Sequence, residues 1–153
     1  MCKQDEARQK IKEVNEELRR TDLSKIDDRK IFHPRDGYGK RLAECLEALD
    51  MTVVQLRRIY HELKSLYNKA KKVENLYEIK PELYRLYAIV EYQANRGVIK
   101  KEFKDLVHTI LDKIDNDLIS NATERAMKSL EKAHDFMMSI VAYSKTSKKE
   151  RGG

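Results

Sequence analysis

TVVQLRRIYHELKSLYNKAKK, residues 52–72, has the hydrophobic spacing of a single long helix. Apolar side chains recur at steps of three and four residues, which places them along one side of a helix. Thr52 and Gln55 stand at capping-box spacing, in which each side chain satisfies the other residue's free backbone N–H. The segment therefore predicts a helix that begins at Thr52 and buries Leu56, Ile59, Tyr60, Leu63, Leu66, Tyr67 and Ala70.

The other side of this predicted helix is cationic. Between Arg57 and Lys72 there are six basic residues and one acid, Glu62. Residues 51–105 hold 12 basic and 7 acidic residues, whereas residues 1–50 hold 12 of each. Positive charge concentrated on one face favours binding to a polyanion, because neutralising phosphates releases condensed counterions.

The remaining composition predicts an all-α fold. Of 153 residues, 38% are charged, five are Gly and two are Pro, and helical periodicity continues from Lys40 to Ser144. One domain of this length can bury a full core. We therefore expect a compact bundle of about five or six helices without strands. Asn121 and Glu124 repeat the capping-box spacing and predict the start of the last helix.

The chain divides into four segments by pattern. Residues 1–20 form a charged N-terminal helix whose narrow apolar seam is Ile11, Val14 and Leu18, so we expect it on the bundle surface or against a partner. Residues 21–39 contain turn-forming residues and are expected to be a loop. Residues 40–145 form the helical bundle, and residues 146–153 form a basic, flexible tail.

Several functional classes are not favoured. Cys2 and Cys45 form no CxxC pair, and no apolar run is long enough to span a membrane. The charged N-terminus does not resemble a signal peptide, so a cytoplasmic protein is expected. Gly37-Tyr-Gly39 lacks the third glycine of a dinucleotide loop.

The one pattern typical of an enzyme is a pair of acid-x-x-His sequences. They are Asp105-x-x-His108 and Glu131-x-x-His134, and di-iron bundles use two Glu-x-x-His pairs with two further glutamates. No further glutamate lies on an apolar stripe to complete such a set. Arginine and histidine also lack the spacing of helical ribonucleases. We therefore expect no catalytic site, no metal and no cofactor.

Three sequence blocks carry a family resemblance. They are T-x-x-Q-L-R-R-I-Y-H-E-L from Thr52, I-K-P-E-L at Ile79–Leu83, and F-M-M-S-I-V-A-Y-S-K at Phe136–Lys145, which precedes Gly152-Gly153. In this order they resemble the small helical subunit of type III-A (Csm) CRISPR–Cas effector complexes. The likeness covers Thr52–Lys145, and Ser144 stands where the family often has His.

This resemblance implies a non-catalytic building block. Several copies would stack along the complex and line the channel that holds the crRNA–target RNA duplex, while other subunits carry out cleavage. The partners would be crRNA, target RNA, the other subunits and further copies of this chain. Base pairing already supplies sequence specificity, so contacts should go to phosphates and 2′-hydroxyls. The expected RNA-binding residues are Arg57, Arg58, His61, Lys64, Lys69, Lys71, Lys80, Arg96 and Lys145.

Two hypotheses remain open from the sequence. The first is an RNA-binding structural subunit. The second is a helical protein–protein adaptor without an RNA role, whose basic face would bind an acidic partner. Self-association is expected under either hypothesis, because the Ile11–Leu18 seam and Tyr84, Tyr87 and Tyr92 supply apolar area.

Overall fold

The computed structural model describes residues 2–144, and these form seven α-helices and no strand. The all-α prediction is therefore confirmed. The predicted flexible tail, residues 146–153, lies outside the described residues. The helices are α1 (Cys2–Arg19), α2 (Asp28–Phe32), α3 (Tyr38–Ala48), α4 (Val53–Lys72), α5 (Lys80–Asn95), α6 (Lys101–Ile119) and α7 (Thr123–Tyr143), with 3-10 turns at Leu23–Lys25 and Leu76–Ile79.

The last helix, α7, is the centre of the bundle. It packs against α3, α4 and α6, and also against α2 and the first 3-10 turn. Its side chains are buried on several sides, with Phe136 and Met137 fully enclosed. Because α7 is buried over so much of its circumference, its neighbours are arranged around it.

The N-terminal helix lies along the outside of the bundle with its apolar seam turned inward. Ile11, Val14 and Leu18 are at most 2% exposed, and Ala7 extends the same buried row. Helix α1 packs against α3 and α6, so its seam belongs to the main core. The stripe is narrow because α1 contacts the bundle along one side only.

Residues 21–39 are not a simple loop. Asp22 and Asp27 accept backbone N–H groups from Ser24 and Arg29, and these caps start the first 3-10 turn and α2. The short helix α2 is held to α7 at both ends. Lys132 Nζ lies 2.9 Å from Asp28, and Tyr143 donates its hydroxyl to the carbonyl of Phe32 at 2.6 Å.

The predicted capping box at Asn121 is wrong. Asn121 has φ of 62°, in the left-handed region, and its N–H bonds to the carbonyl of Leu118. It therefore ends α6 instead of starting α7, a role that Asn can fill because it tolerates this conformation. The N-cap of α7 is Ala122, without a side-chain hydrogen bond.

Gly39 marks the closest approach of α3 to α7. A Cβ on Gly39 would overlap the side chain of Ser139 and lie 2.9 Å from the Ser139 carbonyl carbon. Ser139 is 1% exposed and its hydroxyl bonds to the carbonyl of Phe136. Gly39, which belongs to the Gly37-Tyr-Gly39 pattern considered above as a dinucleotide loop, is therefore a residue that allows two helices to pack closely.

Candidate nucleic-acid interface

The candidate site is the outer face of α4. The helix begins as predicted: the Thr52 N–H donates to Gln55 Oε1 at 2.9 Å, and the reciprocal capping box forms. Leu56, Ile59 and Leu63 are at most 1% exposed and contribute to the core beside α7. The opposite face is open to solvent, where the exposed residues include Arg57, Arg58, His61, Lys64, Lys71 and Lys72.

Five exposed cations on this face, Lys72 among them, have no carboxylate partner within the described residues. Among residues 2–144, ion pairs engage neither Arg57 nor Arg58, and neither Lys64 nor Lys71. Arg57 and Lys64 are separated by seven residues, as are Lys64 and Lys71, so they form a row along one side of the helix. Neighbouring cations of the row are therefore about 10 Å apart along the helix axis, at 1.5 Å per residue.

Two tyrosines on α4 hold the lysines of this row. Lys64 Nζ lies 6.0 Å from the centroid of Tyr60, and Lys71 Nζ lies 4.5 Å from that of Tyr67. Each lysine follows its tyrosine by four residues, and side chains at this spacing meet on a helix. The ammonium groups are therefore restrained by cation–π contacts but keep their charge for a phosphate.

His134 of α7 lies between the same two tyrosines. Its ring centroid is 5.5 Å from Tyr60 and 5.3 Å from Tyr67. Tyr67 also directs its hydroxyl at Glu131 of α7, at 3.4 Å. This aromatic seam fixes the rotation of α4 relative to α7 and thereby the direction in which the basic row points. This role of His134 was not predicted from the sequence. The seven-residue spacing of Tyr60 and Tyr67, which places both rings on the same side of α4, was the only indication of it.

Lys69 differs from the other predicted contacts on α4. Its Nζ lies 2.6 Å from Glu82 of α5, and the hydrogen bond from Lys69 lowers the pKa of that carboxyl. The lysine is half-buried and its charge is already neutralised. Lys69 therefore connects α4 to α5, and we assign it no free cationic role.

Lys80 and Arg96 lie at opposite ends of α5, about 24 Å apart along its axis at 1.5 Å per residue. Lys80 Nζ lies 5.0 Å from the Tyr77 ring centroid. Arg96 lies over the Tyr92 ring and donates to its hydroxyl at 3.2 Å. Neither residue belongs to the α4 row. Lys145, the remaining predicted contact, lies outside the described residues.

The acid-x-x-His sequences have structural partners. Glu131 accepts from Lys128 at 2.7 Å, which lowers the pKa of the carboxyl, while His134 lies in the aromatic seam. His108 packs edge-on against Tyr87. Among the described residues, no three His, Cys, Asp or Glu side chains are grouped so that they could hold a metal ion. Within the same part of the chain, no helix is long and apolar enough to cross a membrane.

The face formed by α5 and α6 is different in character. Tyr84 donates to Asp115 at 2.8 Å and Tyr87 to Asp112 at 2.6 Å. Burial, followed by the bond to Asp112, raises the pKa of the Tyr87 hydroxyl. Tyr84 and Tyr92 are 46% and 58% exposed. This face therefore combines carboxylates with accessible aromatic rings, whereas the outer face of α4 is cationic.

Comparison with known proteins identifies one related family. A family model described as Csm2 Type III-A matches residues 34–150. The match begins before Thr52, so it also includes α3, which the sequence resemblance did not cover. No curated protein and no solved structure matches the chain.

Proposed function

The chain belongs to the Csm2 family, small subunits of type III-A CRISPR effector complexes, and from this premise we propose that it binds RNA through the outer face of α4. Several copies stack along the crRNA–target RNA duplex and contact its backbone. The subunit has a structural role without catalysis, in the cytoplasm, where its RNA partners are found.

The observation that carries this proposal is the unpaired cationic row on α4. A neighbouring carboxylate can neutralise the charge of a surface cation, as Glu82 does for Lys69. Arg57 and Arg58 have no such partner among the described residues. Charge left unpaired is available to phosphates, and a guanidinium can hold a phosphate through two hydrogen bonds. We rank Arg57 and Arg58 first for this reason.

The remaining RNA assignments follow from their surroundings. Lys64 and Lys71 are proposed as phosphate contacts held in position by Tyr60 and Tyr67. His61, exposed on the same face, is proposed as a contact to a phosphate or a 2′-hydroxyl. Lys80, Arg96 and Lys145 are proposed as outlying contacts, because they lie away from the row or beyond the described residues.

Binding to generic RNA separates this proposal from the adaptor hypothesis. The purified chain is expected to bind unrelated single-stranded RNA sequences with equal affinity, and the affinity should fall as salt rises. Fluorescence anisotropy with two unrelated oligonucleotides across a salt series measures both properties. An adaptor for an acidic protein predicts negligible RNA affinity even at low salt, and that result would contradict the proposal.

Self-association is proposed through the α5–α6 face. The Ile11–Leu18 seam is buried and cannot contribute, so the apolar area comes from the exposed rings of Tyr84 and Tyr92. Tyrosine suits an interface because its ring packs while its hydroxyl remains hydrogen-bonded. We expect a larger average mass at higher protein concentration by light scattering, and less association for Tyr84→Ser/Tyr92→Ser. A strict monomer at high concentration and low salt would contradict this expectation.

A further inference from the structure

A second cationic site lies where α2 meets α3. Arg29, Lys30, Asp36 and Arg41 line an open pocket of about 260 Å³. The charge pattern along the chain does not indicate this site, because residues 1–50 contain equal numbers of basic and acidic residues. The fold separates these charges: Asp28, the acid next to Arg29, is directed away to Lys132 of α7, whose Nζ lies 2.9 Å from it.

Tyr38 holds two of the pocket's cations in place. Lys30 Nζ lies 5.9 Å and the Arg41 guanidinium carbon 5.7 Å from the centroid of its ring. The ring itself is immobilised, because Tyr38 is 5% exposed, donates to Glu17 at 2.7 Å and packs against Phe136. Cations that are restrained before binding lose less conformational entropy when a ligand arrives.

The chemistry of the lining selects an anion. Three cationic side chains face one carboxylate, Asp36, which already pairs with Arg29 at 3.5 Å. No apolar side chain lines the pocket, and its volume is below the range of about 300–1,000 Å³ that is typical for drug-sized ligands. A small, strongly solvated anion such as a phosphate group fits these properties, whereas an apolar ligand or a nucleobase does not.

One turn of α7 contacts both α4 and α2, and α2 carries two of the pocket's cations. Glu131 on this turn accepts from Tyr67 of α4, while the next residue, Lys132, holds Asp28 of α2. The hydrogen bond to Glu131 raises the pKa of Lys128, one turn earlier on α7, and the nearby Asp28 carboxylate of α2 adds to this rise. The two cationic surfaces thus lie on either side of residues 128–132.

We propose that the pocket of Arg29, Lys30 and Arg41 binds one phosphate of the RNA backbone and extends the RNA path from α4 across α7 to α2 and α3. This inference rests on the proposed RNA-binding function. The ligand is a phosphodiester, which any RNA strand supplies, so the site should be indifferent to base sequence.

The test compares two variants that lose the same charge. Lys30→Gln/Arg41→Gln removes two cations from the pocket, and Arg19→Gln/Arg20→Gln, the α1 variant, removes two exposed cations at the C-terminal end of α1. With single-stranded RNA in a salt series, the pocket variant should bind about tenfold more weakly than the α1 variant, as expected for a lost charge-assisted contact. Its salt slope should be lower by about 0.7, the contribution of one phosphate contact on a single strand. Thermal unfolding by circular dichroism checks that both variants remain folded.

A titration of the parent protein with inorganic phosphate needs no variant. Two-dimensional NMR should show the backbone amide signals of Arg29, Lys30, Asp36 and Arg41 moving, because these residues line the pocket, while those of α1 stay in place. Equal RNA binding by the two variants, together with no local shift on adding phosphate, would overturn the inference. If RNA binding depends on the pocket but not on Arg57, Arg58, Lys64 and Lys71, the inference stands and the α4 assignment fails. If RNA binding depends on those four residues but not on the pocket, the inference is overturned and the α4 assignment stands.

Discussion

Replacing Arg57, Arg58, Lys64 and Lys71 together with Ala is expected to weaken the binding of single-stranded RNA about 100-fold. This loss corresponds to about 2.7 kcal/mol, or about 0.7 kcal/mol per residue, within the range of about 0.2–1 kcal/mol measured for exposed ion pairs. The salt slope should fall by about 3, because each phosphate contact on a single strand contributes about 0.7. Fluorescence anisotropy across a salt series measures both quantities.

A matched control removes four cations elsewhere. Lys3, Lys12 and Arg19 are exposed on α1 and Arg20 directly after it, and their joint replacement with Ala changes the net charge equally. Neither variant should unfold, because exposed side chains away from special contacts usually change stability by at most about 0.5 kcal/mol each. If the α4 variant folds, enters the effector complex and keeps the parent affinity and salt slope, α4 is not the RNA face and the adaptor hypothesis replaces it.

The substitution Gly39→Ala is expected to destabilise the fold by about 2 kcal/mol. The new methyl group would meet the side chain of Ser139 and its carbonyl carbon, so α3 and α7 must move apart. Overpacking of this kind costs about 1–3 kcal/mol. The higher helix propensity of alanine, worth up to about 1 kcal/mol in a helix interior, offsets only part of it in the first turn of α3. Urea unfolding followed by circular dichroism measures the free energy of unfolding.

Two further variants test whether the clash with Ser139 causes the destabilisation expected for Gly39→Ala. Ser139→Gly removes the side chain that the methyl group would strike, so Gly39→Ala should cost less in that background than in the parent. Glu44→Ala, on the exposed side of α3, should change the free energy of unfolding by less than about 0.5 kcal/mol. If Gly39→Ala is as stable as the parent, the close packing of α3 on α7 is not a constraint on this position.

Helix α4 shows what can be predicted from local pattern. The capping box of Thr52 and Gln55 and the buried stripe below it depend on residues a few positions apart. Such interactions are set by helix geometry, whatever the rest of the chain does. The exposed arginines could be named on the same basis. Asn121 shows the limit of prediction from local pattern. An asparagine at this position is compatible with ending α6 or with starting α7, and only its backbone conformation distinguishes the two roles.

The sequence by itself determined the all-α class, most of the helices, the basic outer face of α4 and the family resemblance. These properties rest on periodicity and motifs that are local along the chain. Tertiary packing was needed to place the α1 seam in the core, to pair Lys69 with Glu82, and to bring Lys30 and Arg41 over one tyrosine. Whether a charge is free depends on which distant segments the packing brings beside it, because ion pairs act over a few ångströms of space, however far apart the partners lie in sequence.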